Sequence, residues 1–153
     1  MFDVIIDTRE KQPWSFAQSS SIDNIINKKL DTGDYSIVGL EDVLCIERKR
    51  SVSELATNIT QDRFKNEMER MSNFPYKFLI LEFDYFQIDM YPEGSNIPKD
   101  LQSKIRINGS YIMKVLSEIQ VRNGIHVIAC GNVAFAEHVA INLMKRVYEL
   151  RKT

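Results

Sequence analysis

The stretch GDYSIVGLEDVLCIERKRSVSEL, from Gly33 to Leu55, constrains this chain more than any other, because it lays ionisable side chains along what reads as a buried strand. Apolar residues run from Val43 to Ile46, and Glu47, Arg48 and Lys49 continue the same run. Charges on a core strand cost free energy unless they are paired or bound. Either these side chains face water or something binds them. Alternation along a strand points Cys45, Glu47 and Lys49 to one face and Leu44, Ile46 and Arg48 to the other. Glu47 and Lys49 therefore stand side by side. Asp34 opens the preceding strand, and Gly33 lets the chain turn tightly so that the Asp34 carboxylate can meet Glu47 at a sheet end. Asp7, closing the first strand, can reach the same corner.

The rest of the chain reads as alternating elements. Phe2 to Thr8, with Val4-Ile5-Ile6 at its heart, suits a strand buried on both faces. A loop through Lys11-Gln-Pro-Trp14 and Ser19 to Ser21 follows, then a short amphipathic piece from Ile22 to Lys29 and a turn over Asp31 to Asp34. Tyr35 to Val38 and Val43 to Lys49 read as two strands joined through Gly39. Ser51 and Glu54 have capping-box spacing, which starts a helix near Ser51 that runs to about Ser72, with a bend expected near Thr60. Tyr76 to Phe83 is a buried strand. Asp84 to Asn108, carrying Pro92, Gly94 and Pro98, reads as a long surface excursion. A helix from Gly109 to Asn123 stops at Gly124, Ile125 to Cys130 makes a strand, and a last helix covers about Ala134 to Leu150. This order predicts an α/β fold, a mixed central sheet flanked by helices.

A chain of 153 residues without linkers or repeats reads as one domain able to bury a real core. No apolar stretch approaches the ~20 residues of a membrane helix, so no membrane association is expected. The expectation is a soluble intracellular protein, cytoplasmic if a prokaryote or phage encodes it. Cys45 and Cys130 lie in apolar runs without zinc-site spacing and read as reduced core residues. A net charge of -1 gives no global basic field, so any nucleic-acid contact must be local.

Carboxylates converging beside a lysine make chemical sense around a hard divalent cation, because oxygen ligands suit Mg²⁺ or Mn²⁺ and the ion relieves their mutual repulsion. Such an arrangement suits phosphodiester hydrolysis. The metal polarises a phosphoryl oxygen and activates water, and a fixed cation stabilises charge that develops in the transition state.

IIDTRE (Ile5 to Glu10), TGDY (Thr32 to Tyr35) and IERK (Ile46 to Lys49), in this order and spacing, resemble the XPF/Hef-type structure-specific endonucleases. That family is a branch of the PD-(D/E)xK superfamily, and the resemblance spans roughly the whole chain. It implies a restriction-endonuclease-like fold, metal ligation by Asp34 and Glu47, and a catalytic role for Lys49. Arg48 matches the arginine between them, whose backbone carbonyl commonly faces the metal in that family, and Asp7, Arg9 and Glu10 match the first motif. Asp7 is carried as a third metal ligand, with Arg9, Arg48 and Glu10 as further site residues. The resemblance also implies cleavage of branched or flapped DNA and a homodimer formed through the C-terminal helices. The family usually places an aspartate four residues after the lysine, where this chain has Ser53 followed by Glu54. No segment matches a tandem helix-hairpin-helix or helicase domain, so a partner chain is a candidate source of DNA grip. A nuclease domain standing alone at this length resembles phage or mobile-element versions.

Simpler readings stand beside these. Asp34 alone would be a turn residue, and Arg48 a salt-bridged or solvated strand residue. Arg9 and Glu10 could pair with each other. Glu54 reads as a helix cap, Trp14 as packing, and His126 and His138 as structural. Gln61, Arg63 and Lys65 read as a solvated face, with phosphate contact as the lesser reading. The broad apolar arc of the last helix, from Phe135 to Leu150, fits core packing or a homodimer. The competing function is a non-catalytic nuclease-fold subunit that binds DNA or a protein. A sequence-specific duplex cutter is a third.

Overall fold

The structure, a computed structural model, describes residues 1–17 and 19–152. Its elements run β1 (Phe2–Ile6), β2 (Ile22–Asn27), β3 (Tyr35–Ile37), β4 (Leu44–Lys49), α1 (Val52–Asn58), α2 (Asp62–Met71), β5 (Tyr76–Leu81), α3 (Tyr85–Met90), α4 (Lys99–Gln102), α5 (Gly109–Asn123), β6 (His126–Ala129) and α6 (Val133–Lys152). The strands form one six-stranded sheet in the order β2-β1-β3-β4-β5-β6. β1 and β3 pair antiparallel, as do β3 and β4, whereas β1/β2, β4/β5 and β5/β6 pair parallel. The expected mixed sheet flanked by helices is therefore present.

Each face of the sheet carries its own core. On one face Cys45, Leu79 and Leu81 pack with Leu55, Phe64, Met68, Met71, Ile112 and Leu116 from α1, α2 and α5. On the other, Tyr35, Leu44, Ile46 and Ile80 pack with Trp14, Phe16 and the α6 line Ala136, Ala140, Met144 and Val147. β4 lies between them, every residue of it buried. Its odd positions face the α1/α2 layer and its even positions the α6 layer, as strand alternation requires.

Three expectations change. Ile22–Asn27 is an edge strand parallel to β1, with Ile25 and Ile26 exposed. The helix after Ser51 is two helices, broken around Ile59 to Gln61, where Gln61 caps α2 without a side-chain bond. The excursion after Phe83 contains α3, opened by a capping box between Asp84 and Gln87, and the short α4. Among the described residues no helix is long and apolar enough to cross a membrane.

Candidate active site

Gly33 sets the spacing of the site. Its φ is +88°, and a Cβ there would meet Cys45 Sγ at 2.6 Å and the Ile46 carbonyl oxygen at 3.1 Å. Only glycine lets the chain pass this close to β4 in that conformation. Asp34 N–H then donates to Ile46 O at 2.8 Å, and Asp34 O accepts from Asp7 N–H at 2.9 Å. The side chain is held too, since Asp34 Oδ2 accepts the Arg48 backbone N–H at 2.8 Å. Backbone bonds alone thus bring the Asp34 carboxylate against β4, beside Glu47.

The two carboxyls act on each other's ionisation. Burial, together with the neighbouring charge of Glu10, pushes Asp34 up to about 6. Burial first, then the charges of Asp34 and Glu67, push Glu47 well above the ordinary carboxylate range. Lys49 Nζ lies 3.1 Å from Glu47 Oε2 and donates to Asn58 Oδ1 at 2.6 Å. Burial pulls the Lys49 ammonium down, but Glu47 and Glu67 outweigh it and hold it above its usual value. The lysine is a fixed cation.

These groups line a cleft of about 290 Å³, together with Asp7, Arg9, Asp31, Gln61, Arg63, Phe64, Glu67 and Arg70. Asp7 sits in it fully engaged. Its Oδ2 accepts from Arg9 Nε at 2.9 Å and Arg9 N–H at 3.2 Å, and its Oδ1 accepts from Leu30 N–H at 2.8 Å and an Arg9 terminal nitrogen at 3.3 Å. Although burial opposes it, these bonds lower the Asp7 carboxyl below its ordinary value. Arg9 also donates to Leu30 O at 2.6 Å, so the pair ties β1 to the turn after β2.

Glu10 and Arg48 do not line the cleft. The Arg48 guanidinium points to the α6 face, where it donates to Glu82 at 2.7 Å, Gln12 O at 3.0 Å and Tyr35 Oη at 3.1 Å. It lies 4.9 Å from the centroid of the Trp14 ring, whose indole N–H also donates to Glu82. Glu10 pairs with Arg50 at 3.3 Å and approaches Arg48 at 3.6 Å. These two side chains form a network behind the cleft, and the Arg48 backbone N–H reaches Asp34. Trp14 packs as expected, stacked on Tyr35. Glu54 accepts from Arg50 N–H while Ser51 accepts from Glu54 N–H, which makes it the expected cap.

Asn58 and Glu67 escaped the sequence reading. Neither belongs to a motif; Asn58 reaches the cleft through the register of α1, and Glu67 through the break that turns the chain into α2. Arg63 and Gln61 face the cleft, whereas Lys65 lies over the groove between α2 and α5.

The donor set suits a hard divalent cation. The buried Glu47 and the half-buried Asp34, both with raised pKa values and with Glu67 nearby, are oxygen donors whose repulsion an ion would relieve. Among the described residues no cluster of three or more acidic, histidine or cysteine side chains is arranged to hold a metal.

A titration consequence follows for the metal-free protein. The folded pKa of Asp34 lies above its unfolded value, so its contribution to stability is complete below pH 3.8 and lost as pH rises through about 6. Asp34→Asn is therefore expected to become more stable relative to wild type across that window, by roughly 1 to 3 kcal/mol at neutral pH. Thermal unfolding of both proteins in chelator checks this. A stability difference that does not change with pH would refute it.

A family model described as the ERCC4 domain matches residues 6–141. Among solved structures, XPF from Aeropyrum pernix superposes with a TM-score of 0.68 at 20% identity, over 97% of this chain and 68% of that one. XPF from Aeropyrum pernix in complex with DNA gives 0.67 at 19%, over 99% of this chain and 66% of that one. The chain thus spans about two-thirds of the length of these structures. No curated protein matches it in sequence.

Proposed function

Since the chain belongs to the ERCC4 domain family and has the fold of the XPF nuclease, we propose that it is a divalent-metal-dependent DNA endonuclease acting at branched, flap or fork structures. The observation that carries this reading is the convergence of Asp34 and Glu47 on one cleft, with the Lys49 ammonium 3.1 Å from Glu47. Charged groups so buried are expensive to keep without a ligand. Asp34 and Glu47 would hold Mg²⁺ or Mn²⁺, and the Arg48 backbone N–H fixes the orientation of the first of them. Asp7, its oxygens already engaged, serves with Arg9 as the anchor of the cleft wall. When bound, the ion supplies Lewis-acid polarisation of the phosphate and a lowered pKa for attacking water. Lys49 places a positive charge where phosphate oxygens gain negative charge in the transition state.

Substrate grip has to be local because the chain carries a net charge of -1. The cleft supplies it through Arg63. Lys49 is committed to Glu47 and Asn58, Arg9 to Asp7, and Arg70 to Thr32. Arg63 is exposed on the cleft rim and holds no protein partner among the described residues. Arg63→Ala is expected to weaken DNA binding and to lower the slope of log affinity against log salt by about one unit, leaving kcat nearly unchanged. Salt titrations of binding, alongside kcat and KM, read this out; an unchanged slope would remove Arg63 from the phosphate path.

The finer reading takes residues 1–153 as a single nuclease domain that gains duplex grip from a second copy or a partner chain. Val133 and Phe135 on α6 and Val121 on α5 are exposed, which supports a homodimer through the C-terminal helices. The test is cleavage of end-labelled single strand, duplex, flap, splayed fork and four-way junction in Mg²⁺ and in Mn²⁺. Cutting near junctions supports the proposal. DNA bound but never cut would favour the non-catalytic subunit.

A further inference from the structure

We propose that Asn58 is the positioning residue for Lys49, the group that aims the ammonium into the cleft; the inference rests on the reading of that cleft as a nuclease centre. Asn58 Oδ1 accepts from Lys49 Nζ at 2.6 Å, the shorter of the lysine's two polar contacts. The neighbouring Glu54 accepts the Arg50 N–H and Ser51 the Glu54 N–H, where they cap α1.

The fold delivers Asn58 to this place. The cap at Ser51 fixes where α1 begins, and buried Val52, Leu55 and Ala56 fix its rotation against the sheet. Asn58 is the last residue of α1, just before the break that turns the chain into α2. Helix register and helix length together set its side chain over β4.

The chemistry explains why an amide serves. An ammonium has three N–H donors in tetrahedral array. Glu47 and Asn58 engage two of them, which fixes the third toward the cleft that all three residues line. The Phe64 ring, 6.0 Å from Nζ, closes the apolar side. With Glu47 alone the ammonium could rotate about a single contact. An amide oxygen supplies the second contact without a negative charge, in a cleft that already holds Asp34, Glu47 and Glu67. Lys49 thus keeps its net positive charge available to a phosphate.

The experiment reads order and rate separately in the full chain. Nitrogen relaxation of the Lys49 ammonium is measured in wild type, Asn58→Ala and Asn58→Asp, with the backbone amide spectrum as the control for folding. Order should drop in Asn58→Ala and survive in Asn58→Asp, which keeps the acceptor oxygen. An ammonium equally ordered in wild type and Asn58→Ala overturns the inference, whether or not the protein cuts DNA. On a cleaved DNA, Asn58→Ala should lower kcat about tenfold with KM little changed. In the Lys49→Ala background the same change should cost nothing further. Additive losses would mean that Asn58 acts elsewhere. A wild type that cuts no DNA, with the order parameters as expected, would refute the nuclease reading and leave the positioning contact standing.

Discussion

Glu47→Ala is expected to reduce DNA cleavage by roughly a thousandfold or more while the protein stays folded. The side chain is 5% exposed, makes a 3.1 Å contact to Lys49 and lines the cleft with Asp34, so its loss would remove a metal-holding carboxylate and one of the two restraints on the lysine. Stability should not suffer in proportion. Burial and the charges of Asp34 and Glu67 already push this carboxyl well above its ordinary range, so a smaller neutral side chain relieves strain as it opens space. The measurement is cleavage of the labelled DNA panel in both metals, with thermal unfolding and calorimetric titration of Mn²⁺ on the same samples. Loss of cutting and of metal heat, with melting preserved, is the expected set. Cutting that survives in the variant would end the assignment.

The second large effect concerns stability. Arg48→Ala is expected to destabilise the protein by about 3 to 5 kcal/mol, because it leaves the buried carboxylate of Glu82 without its cation and Glu10 with Arg50 alone. Arg48 also bonds Tyr35 Oη and Gln12 O and lies against Trp14, so the change strips packing as well as charge. Glu10 Oε2 already has no hydrogen-bond partner, and its nearest cation is Arg48 at 3.6 Å. For a chain of this length the melting temperature should fall by roughly 10 °C. Arg48→Lys should recover only part of this, since an ammonium cannot reproduce the fork that reaches Glu82, Gln12 and Tyr35 together. Melting unchanged in Arg48→Ala would show that the network contributes nothing. Activity lost without any loss of stability would return the guanidinium to the reaction.

Much of the site could be read from the chain, for a physical reason. A strand alternates strictly, so placing Glu47 and Lys49 on one face needed only the extent of β4, and Gly33 before Asp34 announced the turn. The resemblance named Arg48 for its backbone, and it is the Arg48 backbone that meets Asp34, while the guanidinium turns to Glu82. Where the Glu10 side chain points could not be read, because a loop after β1 has no period to fix direction. Asn58 depends on the rotation of α1 against the sheet and Glu67 on the angle between α1 and α2, both of which arise from packing at Leu55, Phe64 and Met68 and leave no local trace. β2 was missed because an exposed edge strand lacks the alternation of a half-buried one. α3 was legible: Asp84 and Gln87 have the capping spacing that located α1.

The close approach at Gly33 also governs how this centre can vary. Any side chain there meets Cys45 Sγ first, and shrinking Cys45 to alanine would clear only that obstacle. The Ile46 carbonyl and the positive φ would still oppose the change. Single substitutions at position 33 are closed, and so is the simplest compensated pair. Drift in this protein can therefore exchange a ligand or silence one, as Asp34→Asn or Glu47→Ala would, but it cannot gradually widen the gap between them. Variants of this chain should divide into those with the spacing intact and those without a functioning centre, with no graded series between.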